Sequence, residues 1–195
     1  MNDEARVSAH FDGTIAAQTR ARGNMPALVA KAAKRLAATL DRGGKVLACG
    51  NGGSAADAQH FAAEFTNRFE RERPPLAAIA LTTDTSALTS IGNDYHFDQV
   101  FAKQVQALAH PGDALVVIST SGGSANIVAA VEAAHEAGAW ALALTGRDGG
   151  KLAAALGPDD MELRVPAERT AHIQEVHIVL LHCLCDLVDH RLYPE

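Results

Sequence analysis

Five short apolar runs, each set apart from the next by a stretch with helical spacing, constrain this chain more than any other feature. They are KVLACG (45–50), PLAAIAL (75–81), DALVVIS (113–119), WALALTG (140–146) and MELRVP (161–166). A short run that is apolar on successive residues reads as a strand buried on both faces. Between and around the runs, the spacing predicts helices over about 4–20, 25–41, 54–69, 86–92, 96–108 and 124–137. A short helix follows in DGGKLAAAL, and a long one closes the chain over 168–192. Strands alternating with helices imply an α/β fold: a parallel sheet covered by helices on both faces, with right-handed crossovers. In such sheets ligands bind beyond the carboxyl ends of the strands, where the strand order reverses.

No repeat or long linker interrupts the pattern, and 195 residues suit one domain, 1–195. The formal net charge of −6 argues against nucleic acid as a partner. It leaves an anionic substrate open, because backbone N–H groups and hydroxyls can hold a phosphate. The start, MNDEARVSAHF, lacks a basic n-region and an apolar h-region, so no signal peptide is expected. No run of about 18 apolar residues is present, so no membrane partner is expected. Cys49, Cys183 and Cys185 each lie in apolar surroundings and read as buried reduced thiols of a cytoplasmic protein. Cys183 and Cys185 are two apart, which points them to different sides of a helix and speaks against a shared metal.

The closing helix is apolar nearly all round: Ile173, Val176, Ile178, Val179, Leu180, Leu181, Leu184, Leu187 and Val188. Such a helix has no side suited to water. A subunit interface is expected on it, joined by the N-terminal helices of residues 1–42.

Two polar loops follow two of the strands and open two helices. They are Gly50-Asn51-Gly52-Gly53-Ser54 and Ser119-Thr120-Ser121-Gly122-Gly123-Ser124. Small residues let the backbone approach a ligand, and hydroxyls and helix N-terminal N–H groups favour an anion. Ser54 and Ser124 read as N-caps. Capped turns alone would also account for the first loop, but four hydroxyls in six residues exceed what a turn needs. Neither loop matches a P-loop or a dinucleotide fingerprint, so a single phosphate fits better than a nucleotide. His60 and Glu64 are four apart and share a helix face. They fit a general base, half of a metal site, or an ordinary surface pair. Gln174, His177 and His182 are polar residues in an apolar helix and require partners, either in an interface or in a site.

The segments CGNGGSAADAQHFAAEF, TSIGNDY, ISTSGGSANI, ALTGRDGG and IQEVHIVLLH together resemble the phosphoheptose isomerases of the sugar isomerase (SIS) family, in the family's order and over nearly the whole chain. The resemblance implies a flavodoxin-like five-stranded parallel sheet with an N-terminal helical extension. It implies a cytoplasmic homotetramer with active sites between subunits. The implied reaction converts D-sedoheptulose 7-phosphate to D-glycero-D-manno-heptose 7-phosphate through an enediol, the first step towards the ADP-heptose of lipopolysaccharide.

Carried over by position, the resemblance makes Glu64 the catalytic base and His182 its acid/base partner. Ser119, Thr120, Ser121 and Ser124 match the phosphate loop. Asn51, Gly52, Gly53, Ser54, Asn93, Asp94 and Gln174 match substrate-contacting positions. Some members hold one zinc per subunit at positions matching His60, Glu64, Gln174 and His182. A base bound to zinc would be weaker, so the two roles of Glu64 compete. The family also has a non-enzymatic branch that binds the replication initiator protein DnaA, in which the positions of Glu64 and His182 differ; both are intact here. Relatives acting on other sugar phosphates usually carry longer chains. Two departures stand out: Gly123 replaces the usual Asn of the phosphate loop, and Ala171 stands where some members have Asp.

Overall fold

The computed structural model describes residues 2–194. Two helices, α1 (Asp3–Asn24) and α2 (Pro26–Asp41), lead into the sheet. Pro26 at the first position of α2 lacks the N–H that would continue α1, so the chain bends there. Strand and helix then alternate: β1 (Val46–Gly50), α3 (Gly53–Thr66), β2 (Ala78–Ala80) and α4 (Thr85–Asp94). A 3₁₀ turn (Phe97–Gln99) and α5 (Ala102–Leu108) precede β3 (Ala114–Ser119) and α6 (Ala125–Glu136). The chain ends with β4 (Trp140–Gly146), α7 (Gly150–Ala155), β5 (Met161–Val165) and α8 (Thr170–Leu192).

All four strand pairings are parallel, in the order β2-β1-β3-β4-β5. The two-residue period of a strand divides the core into two layers. Val46, Ala48, Val116, Ile118, Leu142 and Leu144 face α1, α2, α3 and α8. Leu47, Cys49, Leu115, Val117, Ala141 and Ala143 face α5, α6 and α7. The five-stranded parallel sheet and the helical extension agree with expectation.

Some elements differ from expectation. The second strand is three residues long, because Pro74 and Pro75 supply no N–H donors where an edge strand would begin. The expected 96–108 helix is interrupted, which turns Val100 and Phe101 into the core. Cys49 and Cys185 are buried, and burial pushes both thiols up; Cys183 is exposed in the single chain.

By length and apolar character α8 would suffice to cross a bilayer, yet half of that stretch is buried in the fold. It packs on α2, α1 and α3. Its remaining side keeps Val179 42% exposed and, with Ile15, Val176 and Cys183, borders a groove of ≈ 620 Å³ between α1 and α8.

Candidate active site

The strand order reverses between β1 and β3. The chain leaves β1 to form α3 on one face of the sheet and leaves β3 to form α6 on the other. The two polar loops therefore diverge at one point above the carboxyl ends of these strands, where Gly50 is in register with Ile118. Asn51 and Asn126 join them there. Each side-chain amide donates to the other's carbonyl oxygen at 2.9 Å. Asn126 is buried, and reading the sequence did not single it out. Its only signal is an amide in the apolar first two turns of α6.

The 119–124 loop is built on a second glycine turn. Leu152 N–H donates to Gly122 O at 2.8 Å, and Gly122 N–H donates to Ser119 O at 3.2 Å. Gly122 has φ +63°, and a Cβ on it would overlap the Gly149 carbonyl oxygen. This contact packs the glycine turn of ALTGRDGG directly against the 119–124 loop. Ser124 takes the N-cap position of α6, as expected, but its hydroxyl makes no capping bond. It is half-buried beside the first N–H groups of a twelve-residue helix, a favourable setting for an anion. Ser54 differs from expectation: the N-cap of α3 is Gly52, and Ser54 lies buried inside the first turn.

Helices α3 and α8 run side by side in the same direction. Gln174 lies over Gly53, where an added Cβ would come within 2.6 Å of its Nε2. Two turns further along, His182 Nε2 lies 3.0 Å from His60 Nε2, and Phe69 stacks near the His182 ring. His60 Nδ1 lies 3.5 Å from Glu64 Oε1. The structure thus gathers His60, Glu64 and His182, with Gln174 displaced along α8 by about 12 Å of helix rise. Two imidazoles and a carboxylate suit zinc by donor type, but Glu64 stands at His60 Nδ1 and His182 at His60 Nε2, on different edges of one ring, so a shared ion requires side chains to turn. The 3.0 Å between the imidazole nitrogens is close to the edge, about 3.3 Å, of a tetrahedron with zinc–nitrogen bonds.

Other residues shape this region. Asp57, one turn before His60, is half-buried, and its Oδ2 has no hydrogen-bond partner. Burial raises its carboxyl above the ordinary range, and His60 only partly offsets this. Arg73 is buried and holds the far end of α3. It donates to the carbonyls of Glu64 (2.7 Å) and Phe65 (2.7 Å) and pairs with buried Asp189 of α8 at 2.8 Å. His177 does not join the group. Its Nε2 donates to Thr145 O at 2.9 Å beneath β4, and burial lowers its pKa to about 4. Asn93 and Asp94 are exposed at the end of α4, and the Asn93 amide donates to Asp94 at 2.8 Å rather than to either loop.

A family model described as SIS domain matches residues 11–146. The chain belongs to the SIS domain family. Within that family it is 54% identical to the phosphoheptose isomerase of Chromohalobacter salexigens, over 99% of this chain and 98% of that one. The solved structure of the Neisseria gonorrhoeae phosphoheptose isomerase superposes with a TM-score of 0.92 at 56% identity, over 96% of this chain and 99% of that chain. The Francisella tularensis phosphoheptose isomerase gives a TM-score of 0.95 at 48% identity, over 97% and 100% of the two chains. The matched stretch ends with β4, so α7, β5 and α8, and with α8 the residues Gln174 and His182, lie beyond it.

Proposed function

We propose that this SIS protein is an aldose–ketose isomerase that converts D-sedoheptulose 7-phosphate to D-glycero-D-manno-heptose 7-phosphate. The observation that carries the reading is full-length identity of 54% and more to phosphoheptose isomerases, joined to an intact Glu64 and His182 on facing helices. The phosphate binds at the Ser119, Thr120, Ser121 and Ser124 hydroxyls and the N-terminus of α6. Asn51, Gly52, Gly53 and Ser54 hold the sugar, with Gln174 above them and Asn93 and Asp94 at the rim.

Glu64 removes the proton beside the carbonyl and returns it to the neighbouring carbon, passing through an enediol. His182 moves protons on the sugar oxygens. General acid–base catalysis of this kind contributes roughly 10²–10⁴-fold. His60, Glu64 and His182 would hold a zinc ion, which would supply Lewis-acid polarisation of the carbonyl when bound; Gln174, about 12 Å of helix rise away, would serve the sugar rather than this ion.

A homotetramer in the cytoplasm fits the surface. Val7, Phe11 and Ile15 form a stripe on α1, each more than half exposed, beside the groove bordered by Val179. Subunits packed there would complete sites between chains. The relatives compared above are named as isomerases, which lends nothing to the DnaA-binding reading.

The deciding assay supplies purified protein with sedoheptulose 7-phosphate, with and without chelator and added zinc. Heptose 7-phosphate should form, and Glu64→Gln and His182→Gln should each lower kcat by at least about 10²-fold. A folded wild type that makes no product under any metal condition would sink the assignment.

A further inference from the structure

Away from the catalytic group, three donors from two helices meet between α1 and α8. His10 Nε2 lies 2.8 Å from Glu175 Oε1, and His172 Nδ1 lies 3.0 Å from Glu175 Oε2. One carboxylate thus offers a separate oxygen to each of two imidazoles, whose ring centres are 4.9 Å apart. The three donor atoms all lie within 4.8 Å of one another.

We propose that His10, His172 and Glu175 form a second metal site, for a divalent ion of zinc or cobalt type, that fastens the N-terminal helix to α8.

Two imidazoles and one carboxylate are a donor set that such ions accept, with a further position left for water. The present spacings of 2.8 and 3.0 Å require small side-chain movements to reach a tetrahedral edge of about 3.3 Å. The ion would replace the ring protons that now point at Glu175. Each imidazole would then carry its proton on its other nitrogen. For His172 that nitrogen is Nε2, which would then no longer accept from the Arg169 guanidinium 3.5 Å away, so Arg169 would have to turn aside.

Outer groups are already in place. Thr14 donates to Glu175 Oε2 at 2.5 Å and also lies 3.1 Å from the His10 carbonyl, which fixes the carboxylate's orientation. Space has been made as well. Gly13 sits inside a 22-residue helix, where glycine is a poor choice, and a Cβ there would come within 2.5 Å of His172 Nε2. The helix forgoes a side chain where the imidazole lies.

The test is a titration of chelator-stripped full-length protein with Co²⁺, read by the visible absorption of the bound ion and by metal analysis after gel filtration. The His60→Gln/His182→Gln variant isolates the proposed site and should still take up about one equivalent per chain. Adding His10→Gln to it should abolish that equivalent. His10 is only half-buried, so this change should leave the fold intact, which the elution volume checks. Uptake by the His60→Gln/His182→Gln protein that is absent, or that survives His10→Gln, would overturn the proposal. Neither result depends on isomerase turnover.

Discussion

Gly122 and Gly123 are adjacent in the 119–124 loop, yet the structure gives them opposite tolerance to a side chain. At Gly122, φ is +63° and an added Cβ would overlap the carbonyl oxygen of Gly149. Relieving that overlap requires the 119–124 loop and the 149–150 turn to part by roughly 1 Å. The left-handed backbone alone costs about 1–2 kcal/mol for a residue with a Cβ. At Gly123 an added Cβ meets nothing closer than Ser121 Oγ at 3.5 Å, and φ lies outside the left-handed range. Alanine there should be neutral, or stabilising by up to about 1 kcal/mol through the unfolded chain. The unfolding midpoint of Gly122→Ala should fall by about 2–4 °C per kcal/mol for a chain of this size. Its kcat/KM for sedoheptulose 7-phosphate should fall about 10²-fold, the penalty for a 1 Å displacement of a positioning loop. Gly123→Ala should keep kcat/KM within about 2-fold and its midpoint within about 4 °C of wild type. Thermal melts and initial rates on the two variants decide the matter. Equal behaviour of the two, in either direction, would refute the reasoning, because it rests on the packing of Gly122 against Gly149 and not on the presence of glycine.

Two further expectations follow from buried groups. Arg73→Met leaves Asp189 buried without its cation and strips donors from the Glu64 and Phe65 carbonyls, so it should cost about 3–5 kcal/mol in urea unfolding; a loss under about 1 kcal/mol would show that water takes over the role. His177 has a folded pKa of about 4, below its ordinary 6.5. Below pH 6.5 the unfolded chain binds a proton that the folded chain refuses, so this contribution is full above 6.5 and is lost as pH falls towards 4, by up to about 1.4 kcal/mol per pH unit. His177→Gln should flatten the stability–pH curve over that window, and parallel curves for the two proteins would contradict the assignment of the slope to His177.

How much of this was legible in the sequence depends on where the determining contacts run. Three central strands were legible because burial on both faces writes a continuous apolar run into them, as in Ala114–Ser119 and Trp140–Gly146, whereas edge strand β5 shows as alternation of Met161, Leu163 and Val165 with Glu162 and Arg164. The failures come where a local pattern competes with a neighbour. Pro74 and Pro75 shorten β2, and Cys183 lies in an apolar helix but on its uncovered side. In the candidate site, the loops were legible as loops because glycine and hydroxyl density is a local property. His60 and Glu64 were legible as a pair because four residues make one helical turn. The meeting of His60 with His182 spans 122 positions, and no spacing rule reaches across it.

The same limit hid Asn126, Arg73 and the His10–His172–Glu175 group, each of which acquires meaning only from a partner on another element. All these long-range contacts except the Asn51–Asn126 bridge end on α8. One helix therefore carries the core face of Ile173, Leu181 and Leu184, the polar residues Gln174 and His182 towards α3, and His172 and Glu175 towards α1. That division of its length and circumference explains why α8 is too apolar for a surface helix and too polar for a purely buried one. Polar substitutions on it should therefore separate by position along and around the helix: those at Ile173 or Leu184 unfolding the protein, those at His182 removing turnover, and those at His172 loosening α1.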